Sequence, residues 1–316
     1  FRGGLKTDEL NTEECFRVID QIAEVNPNAF LILTGGEPLL RPDIYEIIRY
    51  AADKKFMVVL GTNGTMINRV NAEKIKAAGA HGVGISIDSM NPDKHNKFRG
   101  VDKAWELSMD AFDILNEVGV DFLVQMSVSD MNYKEIPEVV EFTEKIGAIA
   151  FNLYFLVCTG RGQGNTDISN VAYEEALKML YEQQMKYKGR LMINSKCAPQ
   201  YKRVVYENDP ESVYTRTYSG GCPAATHYSR ISPEGNLTPC PFIEESVGNL
   251  KSRTFKDLWE NAPLMVQLRD RKQLDGKCGT CEFSAMCSGC RARAFAETGT
   301  YMDPDPSCDY EPGKYG

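Results

Sequence analysis

The sequence predicts an α/β protein: a partial (β/α)6 barrel of parallel strands, then a small cysteine-rich module. Three observations point there. Short apolar strands alternate with amphipathic helices up to about residue 157. Each of those strands ends in small or polar residues. Seven of the ten cysteines lie between Cys222 and Cys308.

Residues 12–25 carry the apolar period of a helix, and "AFLILT" (29–34) is a short run suited to a buried strand. Residues 42–54 form a helix opened by Pro42 and Asp43. Proline lacks the N–H that a first helical turn leaves unused, and an acid there complements the helix dipole. "FMVVLG" (56–61) is a strand and 69–79 a helix ending at Gly79. "GVGISID" (82–88) is a strand and 102–118 a helix ending near Gly119. "DFLVQMSVS" (121–129) is a strand, Pro137 opens a helix, and "AFNLYFLV" (150–157) is a strand. Such alternation calls for parallel strands joined by right-handed helical crossovers. The repeat begins on a helix, so a first strand and its loop are expected ahead of Phe1, which makes six strands. Beyond residue 157 come a Gly-rich loop, "CTGRGQGNTD", a helix over 171–188 and a short strand, "RLMINS" (190–195). The barrel is expected over 1–195 and the cysteine-rich module over 196–316.

Composition narrows the function. Net charge is −8 with no long basic run, which speaks against nucleic acid as a partner. No apolar stretch approaches the roughly 20 residues of a membrane helix, and no signal peptide is visible, so no membrane partner and a cytoplasmic location are expected.

The strand ends read Gly35-Gly36-Glu37-Pro38, Gly61-Thr62-Asn63-Gly64, Ser86-Ile87-Asp88-Ser89, then Gln125 with Ser127, then Cys158 to Gly162. Turn chemistry explains any one of them. Five on one rim point to a ligand, because such folds bind at the carboxyl ends of their strands. Glycines let a ligand approach the backbone. Glu37 suits a cationic amine, and Ser86 and Asp88 suit hydroxyls.

"LTGGEPLL", "GTNGT" and "SIDS" at these intervals resemble the radical S-adenosylmethionine (SAM) enzymes, which have a TIM-like partial barrel. By that resemblance Gly35, Gly36 and Glu37, in the segment closed by Pro38, bind the amino group of SAM. Thr62, Asn63, Ser86, Asp88 and Gln125 are further contacts, and Leu156 packs near the adenine. The resemblance also implies a reduced [4Fe–4S] cluster that splits SAM to a hydrogen-abstracting 5′-deoxyadenosyl radical, and a reducing protein such as ferredoxin or flavodoxin. The family's C-x3-C-x2-C loop is not found in these residues; it is expected ahead of Phe1, and the chain is expected to be inactive without it. Cys15 stands alone on a helix and reads as core. No catalytic side chain is singled out: His81 and His95 read as surface or cap residues, and His227 is open between roles.

Cys278, Cys281, Cys287, Cys290 and Cys308 are separated by two, five, two and seventeen residues. Thiolates on tight turns suit an iron–sulfur cluster or zinc. A disulfide scaffold fits a large cytoplasmic-looking chain less well. Seven ligands exceed one four-cysteine site and fall short of two. This region resembles the SPASM module, which holds auxiliary [4Fe–4S] clusters. By resemblance Cys278, Cys281, Cys287 and Cys308 hold one cluster, and Cys222, Cys240 and Cys290 the other. The eighth place falls to Cys197, to a non-cysteine ligand, or to an open iron. "PEGNLTPCPF" reads as a hairpin turning at Gly235 and Asn236, bringing Cys240 towards Cys222. "TFKDLWENAPLMVQLRD" reads as a helical spacer with Trp259 in the core, and Cys158 as a small loop residue.

The cysteine run, "VCTGRG" and "KFRGV" look most like the tetrapyrrole branch of the family, which decarboxylates haem-precursor propionates or matures haem d1. A propionate wants Arg or Tyr donors, here Arg99, Arg161 and Tyr154. The alternatives are a SPASM maturase that modifies a ribosomally made peptide, and a non-catalytic iron–sulfur electron carrier. The carrier has no need of the three strand-end motifs.

Overall fold

The computed structural model describes residues 8–157, 168–216 and 221–315. Helix α1 (Thr12–Val25) opens on a reciprocal cap: the Asn11 side chain accepts from Glu14 N–H, and Glu14 accepts from Asn11 N–H. Six strands follow, with helices between them: β1 (Phe30–Leu33), α2 (Ile44–Asp53), β2 (Met57–Thr62), α3 (Arg69–Ala77) and β3 (Gly82–Ser86). Next come α4 (Pro92–Arg99), α5 (Ala104–Val118), β4 (Phe122–Val128), α6 (Ile136–Lys145), β5 (Ala150–Phe155), α7 (Asn170–Lys186), β6 (Met192–Lys196) and α8 (Tyr201–Asn208). The strands lie in chain order and every neighbouring pair is parallel.

Two elements differ from the sequence reading. Among the described residues this sheet holds six strands, because "RLMINS" joins it beside β5, pairing from Ala150–Met192 to Tyr154–Lys196. Helix α4 was not expected. It is polar almost all round, so it shows no apolar period, although Asn91 caps it, Pro92 opens it and Gly100 closes it at φ 64°.

The strands alternate between two faces. In β4, Phe122, Val124, Met126 and Val128 are buried in the core, while Leu123, Gln125 and Ser127 are half-buried on the other face. The first core includes Tyr201, Val204 and Val205 of α8, so its packing runs past the division expected at residue 195.

Beyond α8 lie α9 (Val213–Arg216) and an antiparallel sheet of β7 (Arg230–Ile231), β8 (Asn236–Thr238) and β9 (Gly248–Asn249). The hairpin turns at Gly235, whose φ is 89° and whose N–H bonds Ser232 O at 2.9 Å. The expected spacer helix is two helices, α10 (Phe255–Asn261) and α11 (Pro263–Arg269). They break at Ala262, which is extended because Pro263 follows it. Helices α12 (Gly276–Thr280) and α13 (Arg291–Thr298) complete the module. Its core borrows Leu10 and Val18 from the α1 region, and Leu10 N–H bonds Pro233 O at 2.7 Å. Helix α1 thus joins the two parts, with Cys15 packed against both cores. Among the described residues no helix is long and apolar enough to cross a membrane.

Candidate cofactor and cluster sites

The first strand end is built around Glu37, which is buried. Its Oε1 accepts from Thr62 Oγ1 at 2.7 Å and Leu39 N–H at 3.2 Å; its Oε2 accepts from Asn63 N–H at 3.0 Å. All three donors are neutral, and among the described residues no ion pair neutralises this carboxylate. A buried anion held by neutral donors is suited to a ligand cation. A Cβ at Gly35 or Gly36 would meet nothing within 4 Å, so the backbone beside Glu37 is bare for a ligand. Pro38 is buried and starts a short 3-10 turn capped by the Glu37 side chain. These residues line a cleft of about 1850 Å³, with His95 and Arg99 on its wall and Tyr228 and Trp259 from the second module. The donor set and the bare backbone fit the amino group of SAM.

Other expected contacts divide. Thr62 braces Glu37, and the Asn63 side chain is taken up by its own turn, accepting from Thr65 N–H at 2.9 Å and Thr65 Oγ1 at 2.7 Å. Register places Ser86 beside Gln125, Gln125 beside Asn152, and Asn152 beside Asn194. These four share one face across β3 to β6, and Asn194 Nδ2 donates to Asn152 Oδ1 at 3.0 Å. One step towards the carboxyl ends, Ser127, Tyr154 and Lys196 form a second row. Asn152, Asn194 and Lys196 were missed in the sequence; the period-2 alternation of "FNLYF" and "MINSK" carried the signal. Leu156 is half-buried, and its carbonyl lies 3.5 Å from Arg293 Nη2.

Asp88 is a brace. It is 1% exposed, Oδ1 accepts from Ser127 N–H at 2.9 Å, and Oδ2 accepts from Arg99 Nε at 2.5 Å. Arg99, expected to meet a substrate carboxylate, is therefore already paired. His95 is not a surface residue: it is 1% exposed, and its Nδ1 accepts from Asp88 N–H at 3.1 Å. It also lies 3.7 Å from the Asp88 carboxylate, as an ion pair would. Burial outweighs that attraction and lowers its pKa to about 4, so the ring is neutral. His81 is exposed, as expected, and His227 is exposed on the cleft wall. Cys158 and Arg161 lie outside the described residues.

The cysteines gather in two groups. Cys278, Cys281, Cys287 and Cys308 line one small cavity. Beside it, Cys222 N–H bonds Cys287 O at 3.1 Å, which sets the second group against the first. Cys290 is near enough to Cys222 to favour the Cys222 thiolate, an effect that the neighbouring Cys240 opposes. Cys197 joins them. Burial, then the neighbouring Cys290, push its thiol up to about 12, and burial, Cys290 and Cys197 do the same to Cys240. Cys197 also holds a left-handed backbone, φ 60°, uncommon for a residue with a side chain. Among the described residues no three His, Cys, Asp or Glu stand close enough to hold one metal ion. Thiols gathered in this way, four of them on one small cavity, are the donor set an iron–sulfur cluster takes. Trp259 packs on the second core, stacked with Phe255 at 5.9 Å.

The chain matches the Radical SAM superfamily over residues 2–143 and an iron–sulfur cluster-binding domain, SPASM, over residues 222–282. It is 38% identical to the AdoMet-dependent heme synthase of Methanosarcina barkeri (strain Fusaro / DSM 804), over 97% of this chain and 89% of that protein. The chain belongs to the radical SAM superfamily. This radical SAM enzyme, with its SPASM domain, uses SAM and iron–sulfur clusters. The PqqA peptide cyclase of Granulibacter bethesdensis (strain ATCC BAA-1260 / CGDNIH1) is more distant, 25% identical over 97% of this chain and 81% of that protein. Streptococcus suis SuiB bound to S-adenosylmethionine shares the fold, with a TM-score of 0.76 at 19% identity, covering 93% of this chain and 69% of that one.

Proposed function

We propose that this radical SAM enzyme decarboxylates a propionate side chain of a tetrapyrrole. The observation that carries the reading is Lys196. It is half-buried beside Tyr154 on the sheet's concave face, and among the described residues it has no carboxylate partner. Burial lowers its pKa, so a ligand carboxylate would restore the charged form's stability. Arg99 cannot take that role without breaking its pair with Asp88. The names of the most similar relatives point the same way.

When bound, SAM and a reduced cluster supply the radical that removes one hydrogen atom. The chain's own residues hold the substrate for that step. Lys196 and Tyr154 would fix the carboxylate, and Asn152 and Asn194 would orient the ring. Loss of the hydrogen atom and of CO2 turns propionate into vinyl and leaves one electron. That electron needs an acceptor, for which the cluster at Cys222, Cys240, Cys290 and Cys197 is the candidate. A cytoplasmic setting and a ferredoxin or flavodoxin as reductant complete the reading.

The test is Lys196→Met in the full enzyme, with a propionate-bearing tetrapyrrole as substrate. A lost charge-assisted bond of about 1.5–3 kcal/mol raises KM roughly 10- to 150-fold. SAM binding should not change. An unaltered KM would move the carboxylate elsewhere.

A further inference from the structure

The interior of the cysteine-rich module is basic, in a chain of net charge −8. Guanidiniums lie around both cysteine groups, and Lys277 Nζ donates to the Cys308 carbonyl. Arg293 is matched by a carboxylate, its Nη1 2.9 and 3.2 Å from the two oxygens of buried Asp305. Arg291 is not matched. It is 0% exposed, and among the described residues it pairs with no carboxylate. Its Nη1 donates to Tyr301 O at 2.7 Å and Asp303 O at 2.8 Å, and its Nε to Gly289 O at 3.4 Å. Its Nη2 reaches Cys278 Sγ at 3.9 Å. Arg271 is also unmatched by a carboxylate among the described residues. Its Nη2 donates to Cys222 O at 2.7 Å, and among the described residues its buried Nη1 finds no acceptor.

Carbonyls satisfy hydrogen bonds but leave the charge. Buried charges are stable only when paired. What is missing from each guanidinium is an anion, and each touches a cysteine of a different group. A cluster bearing four thiolates is a net anion, and it gains another negative charge on reduction. A fixed cation beside it therefore favours the reduced state.

We propose that Arg291 and Arg271 are built-in counter-ions of the two auxiliary clusters, Arg291 at the Cys278 group and Arg271 at the Cys222 group, and that they raise the clusters' reduction potentials. Clusters poised this way take up an electron instead of delivering one. The inference rests on the assignment of clusters to these cysteines.

The experiment is a potentiometric titration followed by EPR on the anaerobically loaded enzyme. Arg291→Gln removes the charge; Arg291→Lys keeps it. For the Cys278-group cluster, Arg291→Gln should lower the reduced-to-oxidised ratio at a fixed potential about tenfold, a shift of about 59 mV for one electron. Arg291→Lys should stay near the parent. A merely structural arginine would give equal shifts in both variants, or none, and either result overturns the proposal. Cys278→Ala assigns the signal. If the signal survives that change, the cluster lies elsewhere and both readings fall. If it is lost there but unmoved by Arg291→Gln, the counter-ion alone falls. Should Arg291→Gln not fold, Arg271→Gln makes the same test at the Cys222 group, where an unmoved potential overturns the proposal.

Discussion

Thr62 Oγ1 donates to Glu37 Oε1 at 2.7 Å, tying the end of β2 to the loop after β1. The bond fixes the carboxylate whose second oxygen is held by Asn63 N–H. Glu37→Gln keeps the shape and removes the charge, and its amide N–H₂ would face one of these donors. SAM should bind roughly 10- to 150-fold more weakly, the loss of one charge-assisted bond. Equilibrium dialysis with labelled SAM measures this; equal affinity would place the amine away from Glu37.

His95 gives the protein an acid-sensitive point. Its folded pKa, about 4, lies below the usual 6.5, so its contribution to stability is complete above 6.5 and is lost as pH falls from 6.5 through 4. Protonating Nδ1 also breaks its bond with Asp88 N–H. Thermal unfolding should show a loss on the order of 2 kcal/mol between pH 7.5 and 5. His95→Gln, less stable at pH 7.5, should show a flatter profile over that range. Parallel profiles would mean that His95 titrates normally.

Cys197 is expected to complete the ligand set of Cys222, Cys240 and Cys290. Cys197→Ala should leave the Cys278-group spectrum unchanged while the other cluster is lost or becomes labile to oxygen. Iron analysis and EPR of the anaerobic protein decide it. Two unaltered clusters would return the fourth place to a non-cysteine ligand or an open iron.

Gly289 sits where no side chain fits. Its φ is 61°, and a Cβ would stand 2.6 Å from Arg291 Nη2, 2.8 Å from Asp305 Cβ and 3.4 Å from Cys278 Sγ. Arg291 and Asp305 are both fully buried and cannot yield. Gly289→Ala should destabilise the protein by about 1–3 kcal/mol and reduce the iron held at the Cys278 group. Normal melting temperature and iron content would contradict this.

The cofactor end of the fold was legible because its signals are local. A strand shows as a short apolar run, a turn as Gly-Gly-Glu-Pro or Thr-Asn-Gly, and a cluster ligand as cysteine spacing within one loop. Each depends on neighbours in the chain. Asp88 and Arg99 were visible as residue types, yet their mutual pairing was not. It depends on α4, whose polar sequence carries no helical period, and on the β4 N–H of Ser127 reaching the same carboxylate. His95 was misread for the same reason: the helix that buries it was not seen.

The sequence by itself determined the alternating α/β order, the rim that carries the site and the grouping of most cysteines. These follow from hydrophobic period and turn chemistry, which act over a few residues. Only the tertiary structure decided which side chains meet. Parallel register brings Lys196 to Tyr154 and Asn194 to Asn152, and the turn after β6 delivers Cys197 to Cys290. The buried guanidinium of Arg291 faces Cys278, with no carboxylate paired to it among the described residues. Those encounters are set by the packing of distant segments around two shared cores, and a linear pattern carries no record of it.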